Sequence, residues 1–154
     1  MGVRKSLNHP RDLQEIKARI HRLSEESEPK WGKMNVAQML RHCDRILAVG
    51  FGKIVLPKIN IIIKSIGIIT KIEMRTFNNG IPPNMPTFKQ VNIKENCNFE
   101  KSRQELLESI DEFTERLENN NLLAEHALFG KMTKEDWGFM EYKHLDHHLK
   151  QFGV

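Results

Sequence analysis

The chain has 154 residues, of which 39% are apolar and 29% charged, and its formal net charge at pH 7 is +4. This composition is typical of a globular protein with one hydrophobic core, so we predict a single domain spanning residues 1–154. Basic residues are interspersed with acidic ones and form no block, which argues against a nucleic-acid-binding protein.

The chain also lacks the patterns of export and membrane insertion. No stretch of 18 residues is free of charge, and the polar N-terminal segment has no apolar core of a secretion signal. Two cysteines, Cys43 and Cys97, are too few for a disulfide framework. We therefore predict a cytoplasmic protein without a transmembrane segment.

Helical periodicity begins near the N-terminus. The first helix is predicted to start near Pro10 and to end at the polar run Ser24–Pro29. Asn35 is the predicted N-cap of a second helix that closes at Gly50 and Gly52. Its apolar stripe consists of Val36, Met39, Leu40, Cys43, Ile46 and Leu47.

The segment from Ile54 to Ile72 is rich in isoleucine and by propensity alone could be a strand or a helix. Its polar residues fall on one narrow stripe at 100° per residue, which favours a helix, and Pro57 would lie in its first turn or bend it. A helix this apolar is expected to be buried in the core or against a partner. The polar stripe consists of Lys53, Asn60, Lys64 and Lys71.

Residues 75–98 are predicted to form a long irregular loop, because Asn-Asn-Gly and three prolines interrupt any periodicity. Helical spacing returns at Phe99 and ends at Asn119–Asn121. Thr133, with Asp136 three residues later, predicts a capping box for a last helix that continues to about Gln151. Without any alternating strand pattern, the chain is predicted to be an all-α bundle.

The last helix carries the strongest chemical signal. His144 and His148 are four residues apart, so both imidazoles leave the same helix face and can converge on one metal ion. His42, at the edge of the second helix's apolar stripe, is the best candidate for a third ligand. The alternative for His42 is a half-buried histidine that is hydrogen-bonded to the backbone.

Other polar residues near this pair are candidates for supporting roles. Glu141 precedes His144 by three residues and His147 points to one side, and either could orient a ligand or accept a proton. His126 could reach over the site as a base or stabilise a turn by a hydrogen bond. Asp146 is better placed to pair with Lys143 or Lys150 than to bind metal, and Cys43 is expected to be a buried, inert thiol.

Several motifs resemble a branch of unknown function within the DinB-like superfamily. They are Trp31-Gly32-Lys33-Met34, Gln38-Met39-Leu40 and His42-Cys43, then the stretches His126–Gly138 and Tyr142–Gly153. Together they cover about a fifth of the chain and bracket most of it, and only Ala127 departs from a pattern that has proline there. The resemblance implies an up-down-down-up four-helix bundle, here with an extra Ile-rich helix and a long loop. It also implies a metal held by three histidines, which carry over to His42, His144 and His148.

Three protein ligands leave a coordination position open, as in catalytic rather than structural sites. Members of the superfamily resemble metal-dependent enzymes that join low-molecular-weight thiols to electrophiles, or maleylpyruvate isomerases. The leading hypothesis is therefore a thiol transferase acting on a small-molecule substrate, with zinc or nickel as the divalent metal. The alternatives are a metal-activated hydrolase, and a non-catalytic bundle that works through its Ile-rich helix as a homodimer or on a membrane surface.

Overall fold

The computed structural model of the protein describes residues 4–154, and this part of the chain is predominantly α-helical. The prediction of an all-α protein is confirmed, since the described strands form only one small antiparallel hairpin. Met1–Val3 lie outside the described residues, so the prediction for the N-terminal segment is not tested there. The elements are α1 (Pro10–Arg22), α2 (Val36–Gly50), α3 (Ile61–Phe77), a 3-10 helix (Lys89–Val91), α4 (Phe99–Glu118), β1 (Glu125–His126), β2 (Gly130–Lys131) and α5 (Lys134–Gln151).

Capping boxes start the two helices that carry the candidate ligands. The Asn35 side chain accepts a hydrogen bond from the Gln38 amide at 2.9 Å, and the Gln38 side chain accepts one from the Asn35 amide at 3.0 Å. Thr133 and Asp136 form the same reciprocal pair at the start of α5. Both predicted N-caps are confirmed, and they fix where the two helices begin.

Helices α2 and α4 lie along one another and run in the same direction. Arg41 pairs with Glu105 at 2.7 Å, and three residues further along α2 the Asp44 carboxylate accepts a hydrogen bond from Ser109 at 2.6 Å. Contacts that advance together along both helices require parallel axes.

Helices α1 and α5 are paired in the same way. Arg19 donates to Asp146 at 2.7 Å, and one turn earlier Glu15 accepts a hydrogen bond from Tyr142 at 3.3 Å. By contrast, α2 runs antiparallel to α5, because His42 lies beside His144 whereas the later Gly50 lies against Trp137.

The interior between these four helices is apolar. The largest fully buried side chains come from all four of them, from the segment that precedes α1 and from the 3-10 helix. They are Leu7, Ile16, Ile20, Met39, Leu40, Leu47, Val91, Leu106, Ile110, Phe113, Leu145 and Leu149. No helix within residues 4–154 has the length and hydropathy needed to cross a membrane.

The predicted limits of the Ile-rich helix were wrong at both ends. Residues 54–60 are irregular, and α3 begins only after Asn60, whose side chain accepts a hydrogen bond from the Ile62 amide at 2.7 Å. Pro57 disfavours helical geometry in the residue before it, and Asn60 then supplies the cap. The helix continues to Phe77, into the segment predicted to be a loop, and ends at Asn78 in the left-handed conformation (φ 56°).

Of the two predicted alternatives for this helix, burial in the core of the chain was also wrong. Only Gly67, Lys71 and Met74 of α3 are buried, and all of its isoleucines except the half-buried Ile68 are exposed. The polar stripe faces inward, since Lys64 pairs with Glu125 and the Lys71 ammonium donates to the Lys131 carbonyl. The reason is that the surface beneath α3, the hairpin and the start of α5, offers acceptors for these cations.

Candidate metal centre

The antiparallel contact of α2 and α5 brings the three predicted ligands together. His42 comes from α2, whereas His144 and His148 lie one turn apart on α5. One ring nitrogen from each residue can be chosen so that the three atoms lie within 4.8 Å of one another. The Nε2 atoms of His42 and His144 are 3.1 Å apart. Within residues 4–154, this is the one group of three such side chains arranged to hold a metal ion.

Hydrogen bonds fix which ring nitrogen two of these histidines present to the site. The Nδ1 atom of His42 lies 2.7 Å from the Val91 carbonyl oxygen, which can only accept, so Nδ1 carries the proton. His148 Nδ1 likewise donates to Gln151 Oε1 at 2.8 Å. The Gln151 amide is oriented by its donation to the Trp31 carbonyl at 2.6 Å. Both histidines therefore present the lone pair of Nε2.

The geometry and the donor set fit a divalent cation. Three nitrogens at about 2.0–2.1 Å from one zinc ion lie roughly 3.3 Å apart in tetrahedral geometry, close to the 3.1 Å between His42 and His144. His144 Nδ1 is buried without a hydrogen-bond partner, so no hydrogen bond at this nitrogen fixes the orientation of the ring. Three imidazoles suit zinc or nickel, and the described residues supply no fourth ligand to the group.

Burial keeps all three rings neutral, as metal ligands must be. Desolvation lowers the pKa of His42, although the hydrogen bond to Val91 partly opposes this shift. It lowers the pKa of His144 well below the usual range and that of His148 to about 3. Neighbouring histidines contribute further to the last two shifts, because a second positive charge in the cluster would be repelled.

A buried carboxyl group lies one turn before the cluster. Glu141 is only 5% exposed, and its Oε2 atom has no hydrogen-bond partner. Desolvation raises the pKa of this carboxyl to about 8. The spacing of three residues places Glu141 and His144 on the same face of α5. An unpartnered buried acid is costly for stability, which makes it a candidate for a functional role.

Cys43, the neighbour of a ligand in sequence, is buried as predicted. Desolvation raises the pKa of its thiol well above the usual value, so it remains a neutral thiol at neutral pH. The low reactivity expected of a buried thiol agrees with this environment.

His147 lies beside the cluster, with its ring 5.0 Å from that of His148, but it is not one of the three converging side chains. Its Nδ1 atom donates to the Ile81 carbonyl at 3.0 Å, and its ring lies 5.6 Å from that of Trp31. It borders a cavity of about 110 Å³. The other residues that line this cavity are Trp31, Gly80, Ile81, Pro83, Lys143, Asp146 and Lys150. A larger open groove of about 500 Å³ lies between α1 and α4 and contains none of the cluster.

Asp146 does not belong to the cluster either. It pairs with Lys150 at 2.7 Å, one of the two lysines expected, and also with Arg19 of α1. The other expected lysine, Lys143, instead donates to the Asn78 carbonyl at 2.8 Å. The segment that follows α3 is thereby attached to the helix that carries two of the ligands.

His126 occupies the turn-stabilising position that was the alternative to a catalytic role. Its Nδ1 atom accepts hydrogen bonds from the amides of Leu128 at 3.0 Å and Phe129 at 3.3 Å. The ring contacts Trp137 edge-on at 5.9 Å, near the start of α5 and two turns before His144. The structure therefore does not bring His126 into the cluster.

Sequence reasoning missed the residues that orient the ligands. Gln151 lies three residues after His148 on the same helix, so helical spacing could have identified it. The Val91 carbonyl carries no such signal, because any residue at that position offers the same backbone oxygen. The Trp31 carbonyl, which orients Gln151, is equally invisible in the sequence.

Fold and site together define a predominantly α-helical protein with a candidate metal centre made of three histidines. The chain belongs to the family of proteins of unknown function DUF1569, whose model matches residues 1–153. No curated protein and no solved structure matches the chain.

Proposed function

We propose that the protein is a metal-dependent enzyme whose divalent cation is held by His42, His144 and His148. The observation that carries this proposal is the convergence of three neutral, buried imidazoles from two helices without a fourth protein ligand. Structural zinc sites are usually closed by four protein ligands, whereas three ligands are typical of catalytic sites. The proposed reaction joins a low-molecular-weight thiol to an electrophile.

We further propose that the architecture is the up-down-down-up four-helix bundle of the DinB-like superfamily. The relative directions of the helices support this arrangement, because α1 and α5 share one direction while α2 and α4 share the other. In this arrangement α3 and the loop after it form the long crossover between two helices of like direction.

When bound, the cation would lower the pKa of a thiol at its open position, so that the thiolate is present at neutral pH. The chain's own residues prepare the site for this chemistry. Val91 and Gln151 hold the His42 and His148 rings with Nε2 directed inward, which avoids a cost of reorientation on binding. His42 and His148 are buried, and this low-dielectric environment strengthens electrostatic interactions at the cluster.

Glu141 is the proposed partner of His144. Coordination through Nε2 places the ring proton of His144 on Nδ1, which has no other partner in the described structure. The Glu141 carboxyl lies one turn earlier on the same face with an equally unpartnered oxygen. We assign it the role of accepting this hydrogen bond. A bound cation would favour the carboxylate form of Glu141, which could then also accept the proton released by the thiol.

The cavity beside His147 is the proposed place for an acidic group of the substrate. At about 110 Å³ it accommodates a group the size of a carboxylate rather than a whole ligand. Its wall carries two basic side chains, Lys143 and Lys150, and one acidic one, Asp146, which pairs with Lys150, so the net charge of the wall is positive. The wall belongs to α5, so the cavity and the ligand pair are carried by the same rigid element.

Elemental analysis of the purified, untagged protein tests the metal centre first. We expect near-stoichiometric zinc or nickel in the wild type and in His147→Ala, and none in His144→Ala. His147→Ala is the matched control, because it removes an adjacent imidazole that lies outside the cluster. Circular dichroism verifies that each variant is folded. Absence of metal from the wild type after incubation with zinc, nickel and manganese would overturn the proposal.

The reaction is tested on the metal-loaded protein with a panel of low-molecular-weight thiols and electrophiles. We expect consumption of the thiol that depends on both the metal and Glu141, so that Glu141→Gln lowers kcat while the metal content is unchanged. Turnover without any thiol would instead identify a metal-activated hydrolase. No turnover of any kind would remove the enzymatic proposal and leave only the metal site.

A further inference from the structure

The outward face of α3 is a large apolar surface that no other part of the described chain covers. Large apolar side chains on this helix are between 52% and 73% exposed. They are Ile61, Ile62, Ile63, Ile66, Ile69, Ile72 and Phe77, and we call this set the α3 face. Exposed apolar patches of this size mark sites of interaction.

The inner side of α3 is held tightly, so the orientation of the α3 face is fixed. A Cβ atom at Gly67 would lie 2.4 Å from the Leu128 carbonyl oxygen, which shows how closely the helix backbone approaches the hairpin. The Lys71 ammonium donates to the Lys131 carbonyl, and Arg75 pairs with Asp136. Rotating the helix to bury its isoleucines would break these contacts.

Charge argues against a lipid surface as the occupant. Helices that lie on anionic membranes carry basic residues along the border of the apolar face. Here the basic residues Lys64, Lys71 and Arg75 point inward and are paired with the chain itself. The charged residue on the outward side is acidic, Glu73, and it would be repelled by anionic lipid.

We propose that the α3 face is covered by α3 of a second copy of this chain, packed antiparallel about a twofold axis near Ile66 and Ile69. In such a symmetric interface each copy offers the same surface. The seven side chains expose on the order of 700 Å² per copy, which is the upper limit of the area they can bury, against the roughly 800 Å² per partner of a stable interface.

The antiparallel arrangement also gives Glu73 a favourable environment. If position 66 of one helix lies opposite position 69 of the other, Glu73 lies opposite the partner's Ile62, in the first turn of that helix. The helix N-terminus there carries a positive partial charge, and the partner's Lys58 lies just before it. A parallel arrangement would instead bring the two Glu73 carboxylates together.

Sedimentation velocity over a concentration series tests the dimer. We expect the wild type to be a dimer and the double variant I66E/I69E to be a folded monomer by circular dichroism, because these two side chains are 59% and 56% exposed. Met85→Glu is the matched control, since Met85 is 57% exposed but lies outside α3, and it should remain dimeric. A monomeric wild type, or a dimer that persists in I66E/I69E, would overturn the proposal.

A charge exchange tests the antiparallel register. Glu73→Lys should raise the dimer dissociation constant about tenfold, and the added change Lys58→Glu should restore it. Failure of the second change to restore the dimer would refute the arrangement. Co-sedimentation of the wild type with vesicles of phosphatidylcholine and phosphatidylglycerol, lost in I66E/I69E, would show that lipid covers the face and refute the dimer. None of these measurements depends on the metal centre.

Discussion

Gln151 provides a sharp test of how the candidate metal centre is organised, because its side chain joins a proposed ligand, His148, to a distant loop. Its Oε1 atom accepts the Nδ1 proton of His148 at 2.8 Å, and its Nε2 atom donates to the Trp31 carbonyl at 2.6 Å. The residue is 3% exposed, so water cannot readily replace either bond. Gln151→Leu removes both bonds with little change in volume, whereas Gln151→Glu retains the acceptor and loses the donor.

The two variants are expected to separate metal affinity from stability. Loss of the group that orients a ligand histidine typically weakens metal binding 10–100-fold, which corresponds to about 1.4–2.7 kcal/mol. Gln151→Glu should bind metal at least as tightly as the wild type, because a carboxylate is a stronger acceptor for His148. Each buried polar group left without a partner costs about 1–3 kcal/mol, so both variants should lower the stability of the metal-free protein.

Competition titration with a chromophoric chelator measures the affinity for zinc, and urea unfolding of the metal-free protein measures stability. Equal zinc affinities in Gln151→Leu and the wild type would show that His148 is not oriented by Gln151. Equally weak binding in both variants would show that the contact with Trp31, rather than the acceptor for His148, supports the site.

Two further predictions concern the framework around the site. Gly67→Ala should lower the free energy of unfolding by about 2 kcal/mol, because the clash with the Leu128 carbonyl outweighs the helix propensity of alanine. Gly80→Ala, where no atom lies within 4 Å of the added Cβ, should cost nothing in the same urea titration. Burial lowers the pKa of His126 from 6.5 to about 4. As the pH falls from 6.5 towards 4, this imidazole is therefore protonated in the unfolded chain but still neutral in the folded protein. The free energy of unfolding decreases over this pH range. Between pH 7 and 4.5 this loss should be about 2–3 kcal/mol smaller in His126→Gln, and equal losses in both proteins would exclude His126 as its source.

The helices with one apolar stripe were predictable from the sequence alone. Pro10 and the capping residues Asn35 and Thr133 mark where α1, α2 and α5 begin, and the structure has these starts. Such signals are local, because a cap needs only a side chain and an amide a few residues apart. The histidine pair of α5 is local in the same sense, since one helical turn places His144 and His148 on one face.

Helix α3 shows where local signals fail. Its isoleucines satisfy helical periodicity in several registers, so periodicity gives neither the ends of the helix nor the face that is buried. The orientation comes from the hairpin, which offers Glu125 and the Lys131 carbonyl to Lys64 and Lys71. These partners lie about 60 residues further along the chain, and no local pattern specifies them.

The sequence by itself determined the predominantly helical class and identified the three histidines of the candidate metal centre. Tertiary structure decided that His42 of α2 lies 3.1 Å from His144 of α5, because that approach depends on how two antiparallel helices pack. It also decided which nitrogen each ring presents, through a backbone oxygen of Val91 and an amide held by Trp31. Backbone groups are the same at every residue, so only the fold can place them beside a histidine.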